Sequence, residues 1–216
     1  MTKTILAYGD SLTYGANPIP GGPRHAYEDR WPTALEQGLG GAARVIAEGL
    51  GGRTTVHDDW FANADRNGAR VLPTLLESHS PLDLIVIMLG TNDIKPFHGR
   101  TANEAGRGMA RLVQIIRGHY AGKMQDCPQI ILVAPPPIVL GDWADMMEHF
   151  GPHEAIATSV DFAREYKKRA DEQKVHFFDA GTVATTSKAD GIHLDPANTR
   201  AIGGGLVPLV KQVLGL

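Results

Sequence analysis

The stretch Leu-Ile-Val-Ile-Met-Leu at residues 84–89 is apolar at every position, and it limits the folds open to this chain more than any other feature. A strand with one wet face alternates apolar and polar side chains. A strand without alternation is covered on both faces, as in a parallel sheet flanked by helices. Four further short apolar runs, at 4–8, 44–47, 130–134 and 175–178, also read as strands. Helical patterns fill the intervals. Thr101 with Glu104 spells a capping box, and Ala105, Met109, Leu112, Val113 and Ile116 behind it share one helix face. Asp195 and Pro196 fit the N-cap and first turn of a last helix, but Gly203, Gly204, Gly205 and Pro208 inside it predict a weak or kinked one. Strands alternating with helices imply a doubly wound α/β sheet. The 216 residues fit one domain spanning 1–216.

Two glycine- and proline-rich or apolar intervals read as long loops. One covers 16–30. The other, 135–152, opens with three prolines and carries Trp143, Met146, Met147 and Phe150. Such an apolar insertion needs a cover. It is either a flap packed on its own domain, or a lid or subunit contact.

The bulk properties exclude several functions. A net charge of -3 without a basic run argues against a nucleic-acid or anionic-membrane partner. No stretch approaches the roughly 20 apolar residues of a membrane span. The N-terminal apolar run is too short for a signal peptide. The lone Cys127 needs no oxidising compartment and reads as a bland thiol. The expectation is a cytoplasmic protein.

In doubly wound sheets, ligands bind beyond the carboxyl ends of strands. Three candidate groups stand there. The first strand runs into Gly9-Asp10-Ser11-Leu12-Thr13, where a sharp turn can expose the Ser11 hydroxyl and amide. The second leads to Gly49-Leu50-Gly51-Gly52, whose glycines let an amide approach a ligand. The third leads to Gly90-Thr91-Asn92-Asp93, and Asn92 can aim a side-chain amide at a developing oxyanion. The last strand is followed by Asp190-Gly191-Ile192-His193. There a carboxylate three residues before an imidazole can fix its tautomer and leave Nε2 to take a serine proton. Each group alone also reads as an ordinary turn. Asp10 and Asp93 are weaker orienters: Asp10 has no histidine near it in the chain, and Asp93 has only His98, beyond Pro96.

Rival motifs fit poorly. Gly38-Leu39-Gly40-Gly41-Ala42-Ala43 satisfies a dinucleotide pattern but precedes a strand instead of following one. Asp190, His193 and Asp195 lack the companions of a metal site. Trp31, Trp60 and Phe97 lack the basic surroundings of a nucleic-acid platform.

Gly-Asp-Ser-Leu-Thr, Gly-Thr-Asn-Asp and Asp-Gly-Ile-His, in this order, resemble the SGNH (GDSL) hydrolase superfamily across nearly the whole chain. Within it, Glu48-Gly49-Leu50 with Arg53-Thr54-Thr55, 87–93, and Phe178-Asp179-Ala180-Gly181 look like bacterial arylesterases. The resemblance implies a flavodoxin-like three-layer α/β/α sandwich on a five-stranded parallel sheet. It also implies homo-oligomers of up to eight subunits, with no cofactor and no metal. By the same likeness Ser11, Asp190 and His193 are the catalytic triad. The Ser11 and Gly52 amides and Asn92 form the oxyanion hole, with Gly51 adjacent to the less secure Gly52. The implied reaction is hydrolysis of small aryl or alkyl short-acyl esters through an acyl-enzyme, with acyl transfer to alcohols beside it. A carbohydrate deacetylase shares every one of these residues, and a thioesterase, a lysophospholipase or a non-catalytic binding protein stands further off.

Overall fold

The computed structural model describes residues 2–99 and 101–216. Five strands form one sheet: β1 (Lys3–Gly9), β2 (Ala43–Gly49), β3 (Leu84–Met88), β4 (Gln129–Ala134) and β5 (His176–Asp179). Their order is β2-β1-β3-β4-β5, and every pairing is parallel. All five residues of β3 are buried, as the lack of alternation requires. β2 extends past the expected 44–47 because it pairs residue for residue with β1 from Ala43 to Gly49.

Among the described residues eight helices surround the sheet: α1 (Ser11–Tyr14), α2 (Trp31–Gly38), α3 (Gly68–Ser78), α4 (Ala102–Tyr120), α5 (Ala144–Phe150), α6 (Pro152–Ser159), α7 (Phe162–Gln173) and α8 (Pro196–Leu214). Alternate strand residues feed two cores. Leu6, Tyr8, Ile85 and Ile87 pack with Leu72, Leu112 and Tyr166 of α3, α4 and α7. Ile5, Ala7, Val86 and Met88 pack with Trp31, Leu35, Ile202 and Leu206 of α2 and α8. Three layers result, α/β/α. Among the described residues no helix is long and apolar enough to cross a membrane.

Local signals act as expected at α4, where Thr101 Oγ1 accepts the Glu104 amide at 3.1 Å. The Glu104 carboxylate accepts the Thr101 hydroxyl in return. The expectation of a weak last helix is corrected: α8 runs unbroken for 19 residues. Its Gly203 is a packing device. A Cβ there would stand 2.5 Å from the Trp31 carbonyl, so the missing side chain lets α2 lie directly on α8. Asp195 sits at the α8 N-cap position, yet its side chain makes no capping bond.

The 135–152 insertion packs on its own domain. Met147 and Phe150 of α5 are buried in the α3/α4/α7 core. The backbone before α5 grips the turn that precedes α8. The Val139 amide donates to Gly191 O at 3.1 Å, Asp142 to Lys188 O at 2.8 Å, and Trp143 to Ala189 O at 3.0 Å. Gly141 passes so close that a Cβ would lie 2.3 Å from the Asp190 carbonyl carbon. The insertion is therefore a buttress for the 187–193 turn.

Candidate active site

The sheet order places its switch point between β1 and β3, where a flavodoxin-like sheet opens a crevice beyond its strand ends. Ser11 follows β1 and Asn92 follows β3, one on each lip. Ser11 opens α1 behind Asp10, whose carboxylate caps the helix by accepting the Leu12 amide at 2.9 Å. Asn92 lies in a short 3-10 turn, Thr91–Ile94. Both are buried, as is Asp10. The backbone before Asn92 is anchored by Tyr166 of α7, whose hydroxyl donates to Leu89 O at 2.8 Å.

The Asn92 amide is aimed by two acceptors. Its Nδ2 donates to Arg53 O at 3.1 Å and, more loosely, to Asp10 Oδ2 at 3.4 Å. One proton is thus fixed, and the other leans toward the Ser11 loop. Gly51 borders that loop: a Cβ on it would stand 4.0 Å from Ser11 Cβ. Gly52, with φ of 80°, would aim a Cβ at Arg66 instead, 3.2 Å from its Nε.

Asp190 and His193 meet. Asp190 is fully buried, and its Oδ2 accepts His193 Nδ1–H at 2.5 Å. Its Oδ1 accepts the amides of Ile192 and His193, each at 2.9 Å. The Nδ1–H tautomer leaves Nε2 as a base. His25 ties the segment after Ser11 to the residue after His193: its amide donates to Gly15 O at 2.9 Å, and its ring Nε2 meets Leu194 O at 2.8 Å.

Asp10 carries a cost. Burial pushes its carboxyl from 3.8 up to about 6, against the opposing pull of the Leu12 amide and His193. The folded state thus holds this proton more tightly than the unfolded chain does. The penalty is full above about pH 6 and gone below about 3.8, and it amounts to up to about 3 kcal/mol. Asp10→Asn should therefore raise the melting temperature at pH 8, with the gain shrinking to a small fraction by pH 4. Thermal melts at both pH values check this, and an equal gain at both would refute it.

Arg53 and Asp93, both named in the sequence reading, hold the loops in place through contacts that residue spacing does not show. Arg53, buried, donates through Nη1 to Gly9 O at 2.8 Å and to Glu48 O, and lies 4.4 Å over the Tyr8 ring. It ties the end of β1 to the end of β2. Asp93 accepts the Thr55 amide at 3.0 Å and the Thr55 hydroxyl, clamping the loop after β2 to the turn after β3. Its nearest histidine is His57, 3.8 Å away on another loop, and His98 stacks on His57 instead of meeting Asp93. An arginine and an aspartate just past strand ends were the available signals. Gly38 ends α2, and Gly40 and Gly41 turn the chain into β2, which removes the dinucleotide reading.

Residues 7–201 match the GDSL-like Lipase/Acylhydrolase family. No curated protein matches the chain. Among solved structures, it is similar to a carbohydrate acetylesterase family member from Sinorhizobium meliloti, at 50% identity and a TM-score of 0.95, covering 100% of each chain. It is also similar to the aryl esterase of M. smegmatis, at 39% identity and a TM-score of 0.92, covering 99% of this chain and 100% of the other. A second S. meliloti carbohydrate acetylesterase is 38% identical with a TM-score of 0.91, covering 98% and 100%.

Proposed function

Since the chain belongs to the GDSL-like lipase/acylhydrolase family and is an esterase, we propose that it cleaves small, short-acyl carboxylic esters with Ser11 as nucleophile, His193 as base and Asp190 as orienter. The observation that carries this reading is the buried Asp190 carboxylate on His193 Nδ1, on a segment that His25 ties to the one after Ser11. His193 Nε2 removes the Ser11 proton as the oxygen attacks the ester carbonyl. The amides of Ser11 and Gly52 and the Asn92 side chain hold the tetrahedral oxyanion. His193 then protonates the departing alcohol. Water, or a second alcohol in acyl transfer, releases the acyl group by the reverse sequence.

Two similar structures are carbohydrate acetylesterases, which favours a second reading in which the alcohol is an acetylated sugar. Chemistry and residues are the same in both, so substrates decide between them. The test is fluorophosphonate labelling of Ser11 together with rates on aryl, alkyl and sugar acetates of varied acyl length. Absence of label at Ser11 would sink the serine mechanism. Asn92→Ala should lower kcat by about 10²–10³, the scale of one lost oxyanion donor. A drop in kcat/KM carried by KM alone would instead make Asn92 a ground-state contact.

A further inference from the structure

His25, in the long loop between α1 and α2, is 5% exposed and bonds through both its backbone and its ring. Its amide donates to Gly15 O at 2.9 Å, at the end of the short helix that Ser11 opens. Its carbonyl accepts Arg30 Nε at 3.0 Å and Arg30 Nη2 at 2.9 Å. The Arg30 side chain passes against Gly15, where a Cβ would lie 2.8 Å from Arg30 Cγ. The His25 backbone is thus fixed to the segment after Ser11 directly and through Arg30.

The ring reaches the segment after His193 instead. Its Nε2 stands 2.8 Å from Leu194 O. A carbonyl only accepts, so Nε2 carries a proton and donates it. Among the described residues no other hydrogen bond reaches Leu194 O. The turn before it is held from its own side: His193 O accepts the Ser187 amide at 2.7 Å, and Asp190 Oδ1 accepts the His193 amide at 2.9 Å. Leu12 and Leu194, the residues after Ser11 and His193, are both buried in the α2/α8 core. The two segments therefore rest on one apolar floor, with the His25 ring as a polar tie between them.

We infer that His25 is a positioning residue for ester cleavage: its Nε2–H bond to Leu194 O sets the gap between the nucleophile segment and the His193 ring. This rests on the Ser11 esterase reading and adds to it a residue outside the triad and the oxyanion hole. A serine proton passes to an imidazole only within hydrogen-bond reach, and a misplacement of about 1 Å by a substitution away from the chemistry can cost about a hundredfold. His193 is the base in both acylation and deacylation, so kcat falls whichever step limits it. Binding a small ester needs no proton transfer, so KM should hold.

Two amide substitutions test it. In His25→Gln the amide nitrogen falls where the ring Nε2 stood and can still donate to Leu194 O. In His25→Asn it stops at the place of Nδ1 and cannot. With phenyl acetate, His25→Asn should lower kcat by about fivefold or more with KM within about twofold, and His25→Gln should keep kcat within about twofold of wild type. Rates are read well below each variant's melting midpoint, so that loss of the fold does not pass for loss of positioning. A smaller fall in His25→Asn, equal falls in the two variants, or a loss carried by KM overturns the inference. Should His25→Asn fail to fold, His25→Gln decides alone: kcat kept supports the tie, and kcat down by about fivefold or more overturns it. Failure of the esterase reading is seen separately, as Ser11→Ala that still hydrolyses the same ester.

Discussion

Ser11→Ala is expected to lower kcat for any hydrolysed ester by about a millionfold, the scale for removing a serine nucleophile that works as a unit with its base. What remains should be a residual rate from the oxyanion donors and binding. The loss should come without loss of the fold. Asp10 supplies the α1 cap, and Ser11 contributes to the helix only its carbonyl, which accepts the Gly15 amide at 2.9 Å and the Ala16 amide at 3.0 Å. No hydrogen bond to its hydroxyl joins the framework among the described residues. Alanine also favours helix. Stability should therefore shift by no more than about 0.5 kcal/mol, as for a substitution that leaves packing intact. Burst kinetics and thermal melts on the same sample read both effects. A variant that keeps more than about 1% of the wild-type rate would show that another group attacks the carbonyl.

How much of this was legible in the sequence depends on distance along the chain. β3 announced itself because both of its faces are buried, and the loops carrying Ser11, Asn92 and His193 could be placed by the strand before each one. The Asp190–His193 contact was legible because three residues of a tight turn separate its partners. The insertion was legible as apolar, but not as to what it covers. Its grip on residues 187–193 runs through backbone amides, which carry no side-chain signature. The glycines of α8 signal a breaker locally, and only the crossing of α2 shows Gly203 to be a contact surface. Asp93 with Thr55, and Arg53 with Gly9, join loops that follow different strands, so residue spacing has no bearing on them.

Asp190→Asn should cost up to about 10⁴ in kcat while leaving the turn in place. The asparagine carbonyl can keep the amides of Ile192 and His193, which the Asp190 Oδ1 accepts at 2.9 Å each. Its amide nitrogen then faces His193 Nδ1 where Oδ2 stood at 2.5 Å. Two N–H groups cannot share that space, so the imidazole must move its proton to Nε2 and accept through Nδ1. An Nε2–H cannot remove the Ser11 proton, and the base is lost although no atom of Ser11 or His193 has moved. Melting should therefore fall far less than activity does, and the deficit should lie in kcat instead of KM. Nitrogen-15 shifts of the His193 ring report the tautomer directly. A rate within about tenfold of wild type would remove Asp190 from the orienting role.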